Sequence, residues 1–179
     1  MKNTKIIILG LAVIVATAVL PLTALADTQD VTVNAHINSS ISAMTATVPT
    51  VDINSVVPGV TKEASTTIKI TSNNGYKLSI KDKDADLNLV KGSDNIAASA
   101  NTFAAPNTLA TNTWGYRVVG VPAFGTNKYA GITAVDQQIA AVAGPVTDSS
   151  TEVFFGVNVD ATKPSGTYTD VVTFTATAN

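Results

Sequence analysis

Residues 66–81 read Thr66-Thr67-Ile68-Lys69-Ile70-Thr71-Ser72-Asn73-Asn74-Gly75-Tyr76-Lys77-Leu78-Ser79-Ile80-Lys81. Ile68 and Ile70, then Tyr76, Leu78 and Ile80, fall on alternate positions, with Lys69, Lys77, Ser79 and Lys81 between them. A period of two is the mark of a strand with one buried and one wet face. Asn73-Asn74-Gly75 breaks the alternation with residues that tolerate positive φ. The stretch therefore predicts two strands joined as a hairpin.

The same alternation recurs outward from it. In residues 30–37, Val31, Val33, Ala35 and Ile37 share a face opposite Thr32, Asn34 and His36. Trp114, Tyr116 and Val118 alternate with Gly115, Arg117 and Val119, and Val153, Phe155, Val157 and Val159 with Glu152, Phe154, Gly156 and Asn158. Over 168–178, Tyr168, Val172, Phe174 and Ala176 oppose a row of threonines. Pro49, Pro58-Gly59 and Pro164-Ser165-Gly166 punctuate these runs. Short alternating strands between such turns predict an all-β chain, an antiparallel Ig-like or jelly-roll-type β-sandwich. Residues 92–113 and 122–150, rich in Ala, Asn, Ser, Thr and Gly, are expected to hold extended connections or short extra strands. Residues 136–142 also admit a short helical turn.

The first 26 residues have a different grammar. Lys2 and Lys5 precede an uncharged apolar run over 6–20, Pro21 breaks it, and Ala24-Leu25-Ala26 supplies the small-x-small pattern of a signal-peptidase site. The expectation is a signal-peptide helix over 1–26, cleaved before Asp27, and a single domain over 27–179. The expected location is therefore secreted, at the extracellular cell surface, with membrane contact only through the signal before cleavage. The remaining 153 residues suffice for a core without a metal or disulfide. They contain no cysteine, which suits a bacterium exporting directly to the outside and leaves no lipid-attachment site. Without the signal lysines the balance is 9 Lys+Arg to 13 Asp+Glu, a net of −4 with no basic stripe, so nucleic acid is not an expected partner.

Candidate chemistry is sparse. Asp82, Asp84 and Asp86, followed by Asn88, could converge on a hard cation as in the first half of a calcium loop. Leu87 and Ser93 stand where that loop needs a glycine and a final acid, and Lys81 and Lys83 lie among the acids. The plainer reading, a solvated turn, is favoured. His36 is the sole histidine, so no histidine-based metal set or triad can be built. Asp160 and Asp170 flank the Pro164 turn and could approach one another, but aspartates at strand ends are ordinary turn chemistry. Lys69 and Lys77, considered for an internal Lys–Asn isopeptide bond beside Asp170, fall on the wet faces of their strands. Trp114 reads as a core anchor. Phe124 and Tyr129, in the irregular region, are candidates for exposed sugar-stacking rings together with Trp114 and Tyr116. No catalytic residue, metal ligand or cofactor is assigned.

Val48-Pro49-Thr50-Val51-Asp52-Ile53, Ser72-Asn73-Asn74-Gly75-Tyr76, Asn112-Thr113-Trp114-Gly115-Tyr116-Arg117, Phe155-Gly156-Val157-Asn158-Val159-Asp160 and Pro164-Ser165-Gly166-Thr167-Tyr168-Thr169-Asp170 occur in this order. Together they resemble small secreted β-sandwich surface proteins of Gram-positive-like and candidate-phylum bacteria. The final strand is similar to the ends of WxL wall-binding domains and fimbrial subunits. The chain departs from the WxL pattern in carrying Tyr116 two places after Trp114 and Phe174 where a second tryptophan motif is expected. The resemblance implies an extracellular location and a sandwich architecture. The expected function is a non-enzymatic cell-surface structural or adhesion protein, a self-assembling pilus-like or surface-layer subunit among the forms considered. Its expected partners are other surface proteins or copies of itself. The alternative is a carbohydrate- or cell-wall-binding module with cell-wall glycan as partner.

Overall fold

The computed structural model describes residues 32–84 and 86–179, so the signal segment and the start of the 30–37 alternation lie outside the described residues. By its own contacts the chain divides into two units, Met1–His36 and Ile37–Asn179, and the account that follows concerns the second. Its strands are β1 (Ile41–Ala46), β2 (Lys62–Ser72), β3 (Gly75–Asp82), β4 (Leu89–Lys91), β5 (Asp94–Ala98), β6 (Thr113–Val118), β7 (Gln137–Ala143), β8 (Val146–Asn158) and β9 (Val172–Ala178). They form a six-stranded sheet in the order β1-β2-β8-β6-β5-β4 and a three-stranded sheet in the order β7-β3-β9. All pairings are antiparallel except β5 with β6. This is the all-β, two-sheet arrangement of a β-sandwich.

The alternation read from the sequence becomes the core between the sheets. Ile68 and Ile70 of β2, Tyr76, Leu78 and Ile80 of β3, Tyr116 and Val118 of β6 and Val153 of β8 are at most 1% exposed. Each large apolar side chain sealed in this way contributes about 1.5–3 kcal/mol relative to exposure. β8, at thirteen residues, is the spine of the large sheet and carries β2 along one edge and β6 along the other. Residues 136–142 take the extended alternative rather than the helical one, as β7.

Two expectations are corrected. The 66–81 stretch forms two strands but no hairpin, because β2 and β3 belong to different sheets. Both edges of β2 are taken by β1 and β8, and both edges of β3 by β7 and β9, which leaves neither free for the other. Residues 72–75 are thus a corner that carries the chain from one layer to the next. The Ser72 hydroxyl donates to the Gly75 carbonyl at 2.6 Å and Gly75 sits at φ +77°. A second corner at 143–146 passes from β7 to β8, and the β3–β7 ladder brings Gly75 opposite Ala143 at its end: a Cβ on Gly75 would lie 2.2 Å from the Val142 carbonyl and 2.8 Å from the Gly144 nitrogen. The leading strand expected over 30–37 is likewise not formed in its described part, residues 32–37, and pairing starts at Ile41. Val33 and Ile37 of that stretch are 86% and 85% exposed.

Candidate functional site

The sheets are unequal, and the consequence is a cleft. Three strands cannot cover six, so the inner face of the large sheet extends past β9, whose outer edge pairs with no strand among the described residues. β1, the edge of the large sheet, lies on the same side. Residues 48–56 and 163–171 wall the space, which measures about 1090 Å³. On the core side it is bounded by Ile68, Trp114, Phe155 and Val157, which are buried. Met44, Val48 and Val171 line it while 38%, 43% and 55% exposed, an apolar rim where a surface would ordinarily be polar. An edge strand with free backbone donors and acceptors beside an apolar trough is what an added strand requires. The cleft stands at the upper end of the roughly 300–1,000 Å³ of most small-molecule sites.

Trp114 is 3% exposed, and its indole N–H donates to the Leu87 carbonyl at 3.0 Å. Tyr116, Phe124 and Tyr129 are also buried, at 1%, 9% and 0%. Phe124 packs on Phe103 and Tyr116 with centroids 5.1 and 6.2 Å apart. These four residues therefore present no exposed sugar-stacking platform, and for Phe124 and Tyr129 the expectation of exposure is overturned. The cause at Tyr129 is a polar partner the sequence concealed. Its ring lies over Gly156 on the outer face of the large sheet, and its hydroxyl donates to Glu63 Oε2 at 2.6 Å. Arg117 chelates the same carboxylate through Nε and Nη2 at 2.8 and 2.7 Å and stacks 3.8 Å above the Phe154 ring. The hydrogen bond from Arg117 holds the Glu63 carboxyl below its usual range, against the opposing effect of burial. Burial, then the Glu63 bond, raises the Tyr129 phenol.

The acidic run does not gather as its spacing suggests. Asp82, Asp84 and Asp170 bring carboxylate oxygens within 4.8 Å of one another, whereas Asp86 is not among them. Asp84 N–H bonds Asp82 Oδ1 at 2.9 Å, Asp86 N–H bonds Asp84 Oδ1 at 3.0 Å, and Asn88 N–H bonds Asp86 Oδ1 at 3.3 Å. Each aspartate thus caps the amide two residues on, the local bonding these side chains favour in turns. Asp82 is 2% exposed and Asp170 half-buried. Burial, reinforced by Asp82 and Asp84, pushes the Asp170 carboxyl up to about 7. A hard cation takes six to eight oxygens, and here three carboxylates converge, each already accepting a backbone N–H, Asp170 from Val171 at 2.6 Å.

Asp160 does not join Asp170 in a pair. It exchanges bonds with Asn112 at 3.0 Å in both directions and accepts from Thr162, and these bonds from Thr162 hold its carboxyl below the usual range. Lys69, Lys77 and His36 are exposed. The chain matches no family model, no curated protein and no solved structure.

Proposed function

We propose that this is a non-enzymatic protein exported to the bacterial cell surface, an Ig-like or jelly-roll-type sandwich that works by contact. In this reading it is a structural or adhesive subunit that accepts an extended segment of a partner along β9. One observation carries the reading: β9 is an edge strand beside a cleft bounded by buried apolar side chains on the core side and by an apolar rim. Residues 1–26, with their basic start, apolar run and Ala24-Leu25-Ala26, support export, and the absence of cysteine suits that destination.

Because the chain has no cysteine, introduced ones report accessibility cleanly. Val171→Cys on the rim and Val135→Cys, 72% exposed and away from the cleft, are compared on intact producing cells with an impermeant maleimide. The expected result is labelling of Val135→Cys with protection of Val171→Cys, and labelling of both after the surface fraction is denatured. Equal labelling on intact cells, or a protein confined to the cytoplasmic fraction, defeats the proposal.

A further inference from the structure

We infer that Asn74 is a self-modification site: its side-chain amide cyclises onto the Gly75 nitrogen, sheds ammonia and is hydrolysed to an acid that unfastens β1 and β9 from the corner they share. The inference stands apart from the strand-acceptor reading. Asn74-Gly75 is the sole Asn-Gly pair in the chain. Asn74 is exposed between β2 and β3, and Gly75 has no side chain to shield its nitrogen from the neighbouring amide carbon. The ring closes through Asn74 C, Cα, Cβ and Cγ, so no segment of the chain has to travel.

The surroundings of the amide favour the loss of its nitrogen. Asn74 Nδ2 donates to Ser39 Oγ at 2.9 Å and to the Asn179 carbonyl at 3.0 Å. A carbonyl only accepts, which fixes the end of the amide that carries nitrogen. Oδ1 accepts no hydrogen bond among the described residues and is left to water. Asn73 and Asn112 differ: each is held at both ends, Asn73 by Ser40 N–H and the Asn38 carbonyl, Asn112 by Asp160, and neither precedes a glycine.

The Gly75 nitrogen bonds to Asn74 Cγ and gives up its proton to water. The Cγ–Nδ2 bond then breaks. The departing nitrogen is no longer an amide and is basic, and the Ser39 hydroxyl beside it supplies a proton and recovers one from solvent, a general-acid role. Ammonia leaves and a cyclic imide remains. One water opens the ring, at Cγ to give aspartate or at the Asn74 main-chain carbonyl to give isoaspartate. Nothing is oxidised or reduced, and water is the only co-reactant.

The product undoes a clasp. Ser39 leads into β1 and Asn179 follows β9, and Asn179 N–H also bonds the Gly75 carbonyl at 3.4 Å. A carboxylate at position 74 cannot donate to the Asn179 carbonyl, so two acceptors are left facing one another. Isoaspartate also lengthens the main chain just before Gly75, where a Cβ would already lie 2.2 Å from the Val142 carbonyl, and the corner has no slack to absorb it.

The experiment holds the purified full chain in mildly alkaline buffer and follows Asn74 by peptide mass mapping, with an isoaspartyl methyltransferase as the second probe. The expected result is an acid accumulating at position 74, part of it isoaspartate, while Asn73 and Asn112 remain amides. Ser39→Ala should slow the conversion about tenfold or more in the folded chain and leave it unchanged in urea, and Ser39→Thr should restore it. A folded parent that keeps its amide while the urea-unfolded parent converts, or equal folded rates for the parent and Ser39→Ala, overturns the inference. Asn74→Asp installs the product directly. With Trp114 emission unchanged as the fold control, it should speed amide hydrogen exchange in residues 38–46 and 172–179 and nowhere else. Exchange identical to that of the parent overturns the unfastening.

Discussion

Asp82 on β3 and Asp170, two residues ahead of β9, bring carboxylate oxygens within 4.8 Å of each other although 88 positions separate them in the chain. Two acids so close in a partly dry setting are most stable with a proton between them. Asp170, raised to about 7 by burial and by its acidic neighbours, keeps a proton in the folded chain over a range in which the unfolded chain has lost it. Stability must then fall as pH rises from about 4 to about 7 and level off above, the reverse of an ion-paired aspartate. Solvent reaches Asp170, so the loss is on the order of 1 kcal/mol, about 2–4 °C in Tm. Asp170→Asn removes the charge and should flatten this fall between pH 5 and pH 8, so that the variant gains on the parent toward the upper end. A parent that gains stability relative to the variant over that interval refutes the assignment.

The outer face of the large sheet holds the opposite case. Glu63 is kept charged by the fork of Arg117 and by the Tyr129 hydroxyl. Tyr129→Phe removes one donor to that carboxylate and should cost about 1–2 kcal/mol in urea melts. Since the folded carboxyl lies below its ordinary value, the contribution of Glu63 is present at neutral pH and lost as pH falls through the lowered value. The cost of Glu63→Gln should therefore shrink below about pH 4. A cost that is unchanged at acid pH would show that charge plays no part there.

Gly156 is the seat of the Tyr129 ring. A Cβ there would stand 2.4 Å from the ring, and the ring cannot yield without losing Glu63. Gly156→Ala should cost about 1–3 kcal/mol by overpacking. In a Tyr129→Ala background the same substitution meets open space, so the double mutant should be more stable than the sum of the single changes by about 1 kcal/mol or more. Strict additivity in thermal melts would mean that the ring does not rest on Gly156.

The parts legible in the sequence are those that a period of two encodes. Ile68, Ile70, Leu78, Ile80, Val153 and Val157 face inward by alternation alone, and all are buried. Pairing is not encoded that way. Asn73-Asn74-Gly75 suits a hairpin and a layer-crossing corner equally well, and the choice is made by β8 and β7, distant in the chain, which occupy the edges a hairpin would use. The carboxylate group is half legible: spacing exposes Asp82 and Asp84, but Asp170 arrives from the far end of the chain. Tyr129 is hidden by its polar neighbours Thr126, Asn127 and Lys128, since nothing local announces that its hydroxyl will find Glu63. The cleft cannot be read at all, because it arises from the mismatch between three strands and six.

The corner itself offers the sharpest test of the sandwich. Gly75 and Gly59 have almost the same backbone, φ +77° and +78°, but differ in surroundings. A Cβ on Gly59 would meet nothing within 4 Å, whereas on Gly75 it would lie 2.2 Å from the Val142 carbonyl, which is backbone and cannot swing aside. Gly59→Ala should incur only the left-handed penalty, about 1–2 kcal/mol. Gly75→Ala adds a clash with the Val142–Gly144 backbone across the β3–β7 ladder and should cost at least about 2 kcal/mol more, enough to consume a large part of the stability of an ordinary domain. Subtracting one loss from the other cancels the φ term and leaves the close approach of Gly75 to the Val142–Gly144 backbone. If the two alanine variants unfold at the same denaturant concentration, Gly75 does not lie against the Val142–Gly144 backbone, and the start of the β3–β7 ladder has to be redrawn.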